Sequence, residues 1–306
     1  MAVRKRTRPE GGRGETQAAG TPQENAAKTQ EQQARRVKAR QAAASERQRQ
    51  TMLQVLNVCM VAVFAYLATL YARAIRSNEA DQPLTVLYED FLPPDAFQQL
   101  QTCLANSSLL HGENVLNKRN FKGTYGFAVK FNNDGVQQFK DDPAMACLVP
   151  YFERAVRNDT NAWVVNVLVC EETQAEVSVG IHVDNTVGIH VPVLRFLAHV
   201  VDVLYVSIPR DMQGGSLVIW NYGSGPSIVA PTIDSADREI VPRENHRVSF
   251  RGDAFHTVRG FQIPEDVPKQ DRLRISLVIE QYKIPSLFYR RTDTYRFQFK
   301  TNMTMV

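Results

Sequence analysis

Large apolar side chains are all but missing from the first 51 of the 306 residues, where Met1, Val3 and Val37 are the exceptions. Such a stretch cannot offset the entropy lost on folding, so its first part is expected to be disordered. Acidic residues are scarce there too: 5 Asp and Glu stand against 12 Lys and Arg, a local net charge of +7. The remaining positions hold 24 basic and 27 acidic residues, a net of −3, so the pI near 8.9 describes the tail. A basic catalytic surface is not implied, and nucleic acid is not expected as a partner. Cysteine is sparse. With Cys59 in an apolar run, Cys103, Cys147 and Cys170 allow at most one internal disulfide, and the sequence does not choose between a pairing and three thiols. No internal repeat is evident.

What is present begins with a membrane-length segment. Val55 to Ala72 is an 18-residue run in which Asn57 is the only strongly polar side chain. With Met52 and Leu53 it makes about 30 Å of helix, enough to cross a hydrocarbon core. The long tail ahead of it and the lack of an obvious small-x-small site behind it argue against a cleaved signal peptide. Arg35, Arg36, Lys38, Arg40, Arg47 and Arg49 crowd its N-terminal side, against Arg73 and Arg76 beyond it. By the positive-inside rule the tail faces the cytoplasm and the rest faces the secretory lumen, a single-pass type II anchor of the endoplasmic reticulum or Golgi. Sequons at Asn106, Asn158 and Asn302 agree with that orientation. The Ala, Gln, Arg and Glu content from Glu31 to Gln50 favours helix, running on into the span.

The expected layout is a cytoplasmic tail (1–51), a transmembrane anchor (52–75), a linker (76–83), a catalytic-sized domain (84–290) and a C-terminal extension (291–306). Within the domain, Thr85 to Asp90 reads as a strand, and Leu92-Pro-Pro-Asp-Ala-Phe opens a helix with apolar spacing at Phe97, Leu100 and Leu104. A second helix is expected from about Pro143 to Val156. Short β-rich runs follow at 163–170, 177–183, 201–208, 216–220, 246–250, 254–259 and 273–282. Turn chemistry separates them at Gly214-Gly215, at Gly223 to Pro226 and at Arg251 to Asp253. Many short strands behind a few helices predict an α+β fold, a jelly roll with helices on one face.

The chemistry concentrates in His182-Val-Asp184. Residues two apart at a strand end point to one side, so an imidazole and a carboxylate can meet one metal from one direction. His256, in Phe250-Arg-Gly-Asp-Ala-Phe-His256, lies 72 residues beyond Asp184 and would complete a 2-His-1-carboxylate face. Arg274 and Ser276 share a face of the closing strand, where a guanidinium fork beside a hydroxyl suits the distal carboxylate of a dicarboxylic acid. Arg272 has the same parity, so either arginine can be the one that points inward. His190, His199 and Trp220 read as surface or core residues, and Arg251 and Asp253 as parts of a turn.

This ordered set, with the strand around Tyr205 and the run Gly214 to Trp220, resembles the 2-oxoglutarate/iron(II)-dependent dioxygenase superfamily, and most closely its prolyl 4-hydroxylase-like branch. The resemblance spans about 82–285 and is specific over 180–280. It implies a double-stranded β-helix with His182, Asp184 and His256 as iron(II) ligands. It also implies Arg274, Ser276 and Tyr205 at the 2-oxoglutarate carboxylate. O2 as cosubstrate and L-ascorbate as reductant come with it. Two features depart from the collagen-type enzymes: the basic residue is Arg rather than Lys and lies 18 positions after His256, and the 185–200 segment is long. A peptide or small molecule is the expected substrate, with peptidyl proline foremost. Lysine, a glycan or a small molecule is the alternative acceptor. A non-catalytic cupin-like membrane scaffold is the alternative of another class. The oligomeric state is left open.

Overall fold

The computed structural model describes residues 22–76, 82–111, 124–188, 195–221, 232–268 and 271–298. The first part of the tail, most of the linker, His190, the turn at 223–226 and the Asn302 sequon lie outside the described residues. The chain divides into two compact units, residues 1–67 and 68–306.

Helix α1 (Pro22–Arg76) runs unbroken for 55 residues and starts well ahead of the expected Glu31. Proline is tolerated in a first helical turn because the missing N–H would be unpaired there anyway. Along it, Glu31 and Arg35 pair at 2.6 Å across one turn, worth a few tenths of a kcal/mol. Val55, Leu56, Val58, Val61, Phe64 and Tyr66 are each more than half exposed. Among the described residues, α1 is the one helix long and apolar enough to cross a membrane.

The second unit holds β1 (Thr85–Tyr88), α2 (Pro94–Ala105), β2 (Thr124–Asn132), α3 (Val136–Asp141), α4 (Val149–Ala155), β3 (Ala162–Cys170), β4 (Thr173–His182) and β5 (Val200–Ser207). It continues through β6 (Gln213–Gly214), β7 (Leu217–Trp220), β8 (Arg238–Ile240), β9 (Arg247–Arg251), β10 (Phe255–Gln262), β11 (Arg274–Tyr282), α5 (Ser286–Tyr289) and β12 (Tyr295–Gln298). Seven strands form one antiparallel sheet in the order β1-β9-β5-β11-β3-β2-β12. The other sheet runs β4-β10-β7-β8, with β6 beside β10. The sheets face each other: the Phe250 ring on β9 lies 4.8 Å from the His256 ring on β10. This is the expected jelly roll with flanking helices.

Strand β11 shows how the sequence sorts its two faces. Ile275, Leu277 and Ile279 join the apolar core with Val165, Val167, Leu204 and the helix residues Leu100, Leu104, Tyr151 and Phe152. Arg274, Ser276 and Glu280, of opposite parity, are also buried, but against the second sheet's side. On the core face Phe131 stacks on Phe139 at 4.5 Å and meets Phe152 and Trp163 edge-on or tilted. Truncating Phe131 to Ala there should cost about 3–5 kcal/mol. A disulfide, Cys103–Cys147, ties α2 to the turn before α4 across a Cα separation of 6.2 Å. Cys170 is a buried free thiol.

Strands β2, β6, β8 and β12 and helices α3 and α5 are absent from the sequence expectation. β2 is buried along nearly its whole length, with Gly126 and Lys130 breaking its apolar pattern, so neither alternation nor a clean apolar run marks it. Gly126 is required: its φ is +143°, and a Cβ would sit 1.9 Å from the Val167 carbonyl oxygen on β3. Residues Tyr295–Gln298, inside the expected C-terminal extension, pair with Ala128–Phe131 of β2 and close the sheet edge.

Candidate active site

His182, the last residue of β4, is the direct cross-strand partner of His256 near the start of β10. Their rings lie 4.2 Å apart. Asp184 sits between them, Oδ1 at 3.5 Å from His182 Nε2 and Oδ2 at 3.5 Å from His256 Nε2. All three donor atoms fall within 4.8 Å of one another. Donors bonded to one metal at about 2.0–2.2 Å on adjacent octahedral positions lie about 3 Å apart, so the cluster is close to ligating geometry.

The tautomers suit a metal. His182 Nδ1 lies 2.7 Å from the Gly180 carbonyl oxygen, and His256 Nδ1 3.2 Å from that of Ala254. A carbonyl only accepts, so each Nδ1 donates to one, and each Nε2 is thereby turned toward Asp184. Burial pushes the His256 imidazole down to about 4, with help from His182. Burial also works to lower His182, but Asp184's hydrogen bond and charge outweigh it and the net direction is up. Asp184 is held below the ordinary carboxylate range, burial opposing and the two rings prevailing. A carboxylate kept ionised beside a neutral imidazole is the protonation state a divalent cation needs.

A second constellation lies on the inner face of the seven-stranded sheet. Ser276 on β11 and Tyr205 on β5 are cross-strand partners, and Arg274 is two residues from Ser276. The Arg274 guanidinium sits 5.3 Å over the Tyr205 ring. Its Nη1 donates to Ser276 Oγ at 3.2 Å and contacts Cys170 Sγ at 3.6 Å, while Nη2 donates to the Gly215 carbonyl at 3.3 Å. That last bond crosses to the turn between β6 and β7, where Gly214 and Gly215 hold φ of +89° and +72°. Two donors remain: Arg274 Nε and the Tyr205 hydroxyl are buried with no hydrogen-bond partner. Leaving such groups unpaired costs about 1–3 kcal/mol each, more for a charged one. A carboxylate is the kind of acceptor that would satisfy both a guanidinium N–H and a phenol hydroxyl.

The structure separates the two arginines. Arg274 is 2% exposed. Arg272 precedes the strand and turns outward, pairing with Glu172 at 2.6 Å and donating to the Pro264 and Ile263 carbonyls. Trp220 is fully buried with its Nε1 donating to the Thr232 carbonyl, and Arg251 forks onto Asp253 within the turn. His199 lies apart, beside Gln82 and Asp159.

Sequence reasoning missed a polar cluster next to the three donors. Glu280, on the same face of β11 as Arg274 and Ser276, accepts from Asn166 at 2.9 Å, Thr186 at 3.0 Å and the Tyr282 hydroxyl. Burial and the charge of Asp184 push its carboxyl up to about 7. The parity of β11 was the available signal. Phe250, packed on His256, was likewise unmarked in the sequence.

No family model matches this chain, and no curated protein matches it. Solved structures do share features of its layout. One is IDO from Bacillus thuringiensis, 13% identical over 66% of this chain and 94% of that one, with a TM-score of 0.42. Another is a Pseudomonas putida prolyl-4-hydroxylase, 14% identical over 70% and 99%, with a TM-score of 0.38. A third is an oxidoreductase of the 2OG-Fe(II) oxygenase family from Burkholderia pseudomallei, 14% identical over 70% and 90%, with a TM-score of 0.35. Similarity this distant assigns no chemistry; that rests on the chain's own side chains.

Proposed function

We propose that the second unit is an iron(II)- and 2-oxoglutarate-dependent dioxygenase that hydroxylates an unactivated C–H bond, with peptidyl proline as the foremost substrate. The observation that carries this is the pairing of two sites in one jelly roll: two imidazole Nε2 atoms facing one carboxylate, and two orphaned donors suited to an anion. Iron bound with 2-oxoglutarate supplies C–H oxidation by O2, the cosubstrate leaving as succinate and CO2.

The residues divide the work. His182, Asp184 and His256 would hold the metal by one face and leave the opposite face to cosubstrate, O2 and substrate. Arg274 Nε and the Tyr205 hydroxyl would take the distal carboxylate of 2-oxoglutarate, with Ser276 orienting the guanidinium. Phe250, its ring 4.8 Å from that of His256, would shield that ligand from water. L-ascorbate would keep the iron reduced.

The domain is proposed to be lumenal, anchored by α1 as a type II protein of the endoplasmic reticulum or Golgi. Basic residues N-terminal to the span support that orientation, and the Cys103–Cys147 disulfide is of a kind that persists in oxidising compartments. A scaffold without catalysis is disfavoured, because it gains nothing from two buried donors left unpaired. Lysine, glycan and small-molecule acceptors are the competing substrates within the same class.

The test is succinate formation by the detergent-solubilised full chain with iron(II), 2-oxoglutarate and ascorbate. Stimulation by a proline-rich peptide, absent with a proline-free control peptide, is expected. Turnover indifferent to proline would keep the class and reject the acceptor.

A further inference from the structure

Thr186 lies two residues beyond Asp184, and each of its polar atoms is held by a different side chain of the seven-stranded sheet. Its backbone N–H donates to the Tyr282 hydroxyl at 2.9 Å. Its own hydroxyl donates to Glu280 Oε1 at 3.0 Å. Its carbonyl oxygen accepts from Lys130 Nζ at 3.1 Å. The clamp is braced in turn: the Tyr282 hydroxyl donates to Glu280 Oε2, and Asn166 Nδ2 donates to Glu280 Oε1 at 2.9 Å. Lys130 on β2 and Glu280 on β11 flank the same residue of β3, Val164, so two of the three grips come from one row of the sheet.

Asp184 itself sits on irregular backbone. β4 ends at His182, so no ladder fixes the carboxylate, whereas His182 and His256 are fixed by their strand pairing. One backbone tie is present, from Ala198 N–H to the Asp184 carbonyl at 2.9 Å. The anionic donor is thus the one whose position depends on side chains. Lys130 and Glu280 are costly to bury, and a buried network of this kind persists only when its members satisfy one another.

We propose that Glu280, Tyr282 and Lys130 are positioning residues for the metal, acting through Thr186 to set the place of the Asp184 carboxylate. This rests on the metal-binding role given above to His182, Asp184 and His256. Partners one shell out from a ligand set its orientation, and losing one commonly weakens metal affinity by about 10- to 100-fold.

The test measures Mn(II) affinity of the detergent-solubilised full chain, together with the apo protein's melting temperature, for Thr186→Val, Tyr282→Phe and Asp184→Asn. Thr186→Val removes one hydroxyl at nearly constant shape, and Tyr282→Phe removes another, so both are conservative enough to fold. The expected result is a Kd about tenfold or more weaker in each, with Thr186→Ser restoring wild-type affinity. A lowered apo melting temperature with unchanged Kd in both variants would mean a merely structural cluster and overturn the proposal. Asp184→Asn separates the two levels. If it weakens Mn(II) binding while Thr186→Val and Tyr282→Phe do not, only the positioning role fails. If it leaves Mn(II) binding intact, the metal site itself is wrong and the positioning role falls with it.

Discussion

His182 and His256 face each other directly across β4 and β10, their rings 4.2 Å apart, so a single cross-strand pair supplies two of three donors to one point. A strand ladder is among the stiffest devices available for holding two side chains, and both Nδ1 atoms are pinned to backbone carbonyls as well. Replacing His256 by Ala should therefore weaken metal binding by more than about 100-fold while leaving the ladder intact. Titration of Mn(II) into wild type and variant, with circular dichroism as the fold control, checks this. Equal affinities would sink the ligand assignment.

The two arginines give a sharper contrast. Arg274→Ala should raise the KM for 2-oxoglutarate by about 10- to 100-fold, the loss of a charge-assisted hydrogen bond of about 1.5–3 kcal/mol. Tyr205→Phe should raise it less, by about tenfold. Arg272→Ala should leave KM within about twofold, since its pair with Glu172 lies near the surface and contributes about 0–1 kcal/mol. A KM effect from Arg272 equal to that from Arg274 would contradict the inward assignment.

That contrast also shows what the sequence can and cannot say. Parity along 272–276 left two arginines equivalent. The strand begins at Arg274, so parity never applied to Arg272. His182 and Asp184 were legible as candidates because strand-end chemistry at fixed spacing is a local signal, whereas His256, Arg274 and Ser276 were singled out through the resemblance. Thr186, Lys130, Asn166 and Glu280 were not, because they meet only through the pairing of β2, β3 and β11, and β2 itself lacks a periodic signature. The Cys103–Cys147 bond was open for the same reason: which thiols approach is decided by how α2 packs against the turn before α4.

Reduction of that disulfide should be felt globally. It closes a loop spanning 44 residues, for which chain entropy implies about 2–4 kcal/mol. Thermal unfolding in the presence and absence of a phosphine reductant should show a melting temperature lower by roughly 5–15 °C on reduction. No shift would mean that the thiols are unpaired in the native protein or that the bond adds nothing to stability.

Acid should weaken the fold through His199. This buried imidazole is pushed down to about 4, first by burial and then by the Lys283 charge, from an ordinary value of 6.5. Between those values the unfolded chain binds the proton that the folded protein refuses. The contribution is thus present above pH 6.5 and is lost as pH falls toward 4, by about 2 kcal/mol at pH 5. Urea midpoints at pH 7 and pH 5 for wild type and His199→Gln should show a smaller decline in the variant. Parallel declines would place the acid sensitivity elsewhere.

The metal donors and the Arg274–Tyr205 cluster are proposed to serve one reaction. Succinate released from 2-oxoglutarate by the detergent-solubilised full chain, measured with and without iron(II) and in His182→Ala and Arg274→Ala, tests this most directly. Iron-dependent succinate is expected from wild type, none above background from His182→Ala, and succinate from Arg274→Ala only when 2-oxoglutarate is raised about 10- to 100-fold. Succinate formation that persists unchanged in both variants, or a folded wild-type chain that binds no iron and forms none, would contradict it.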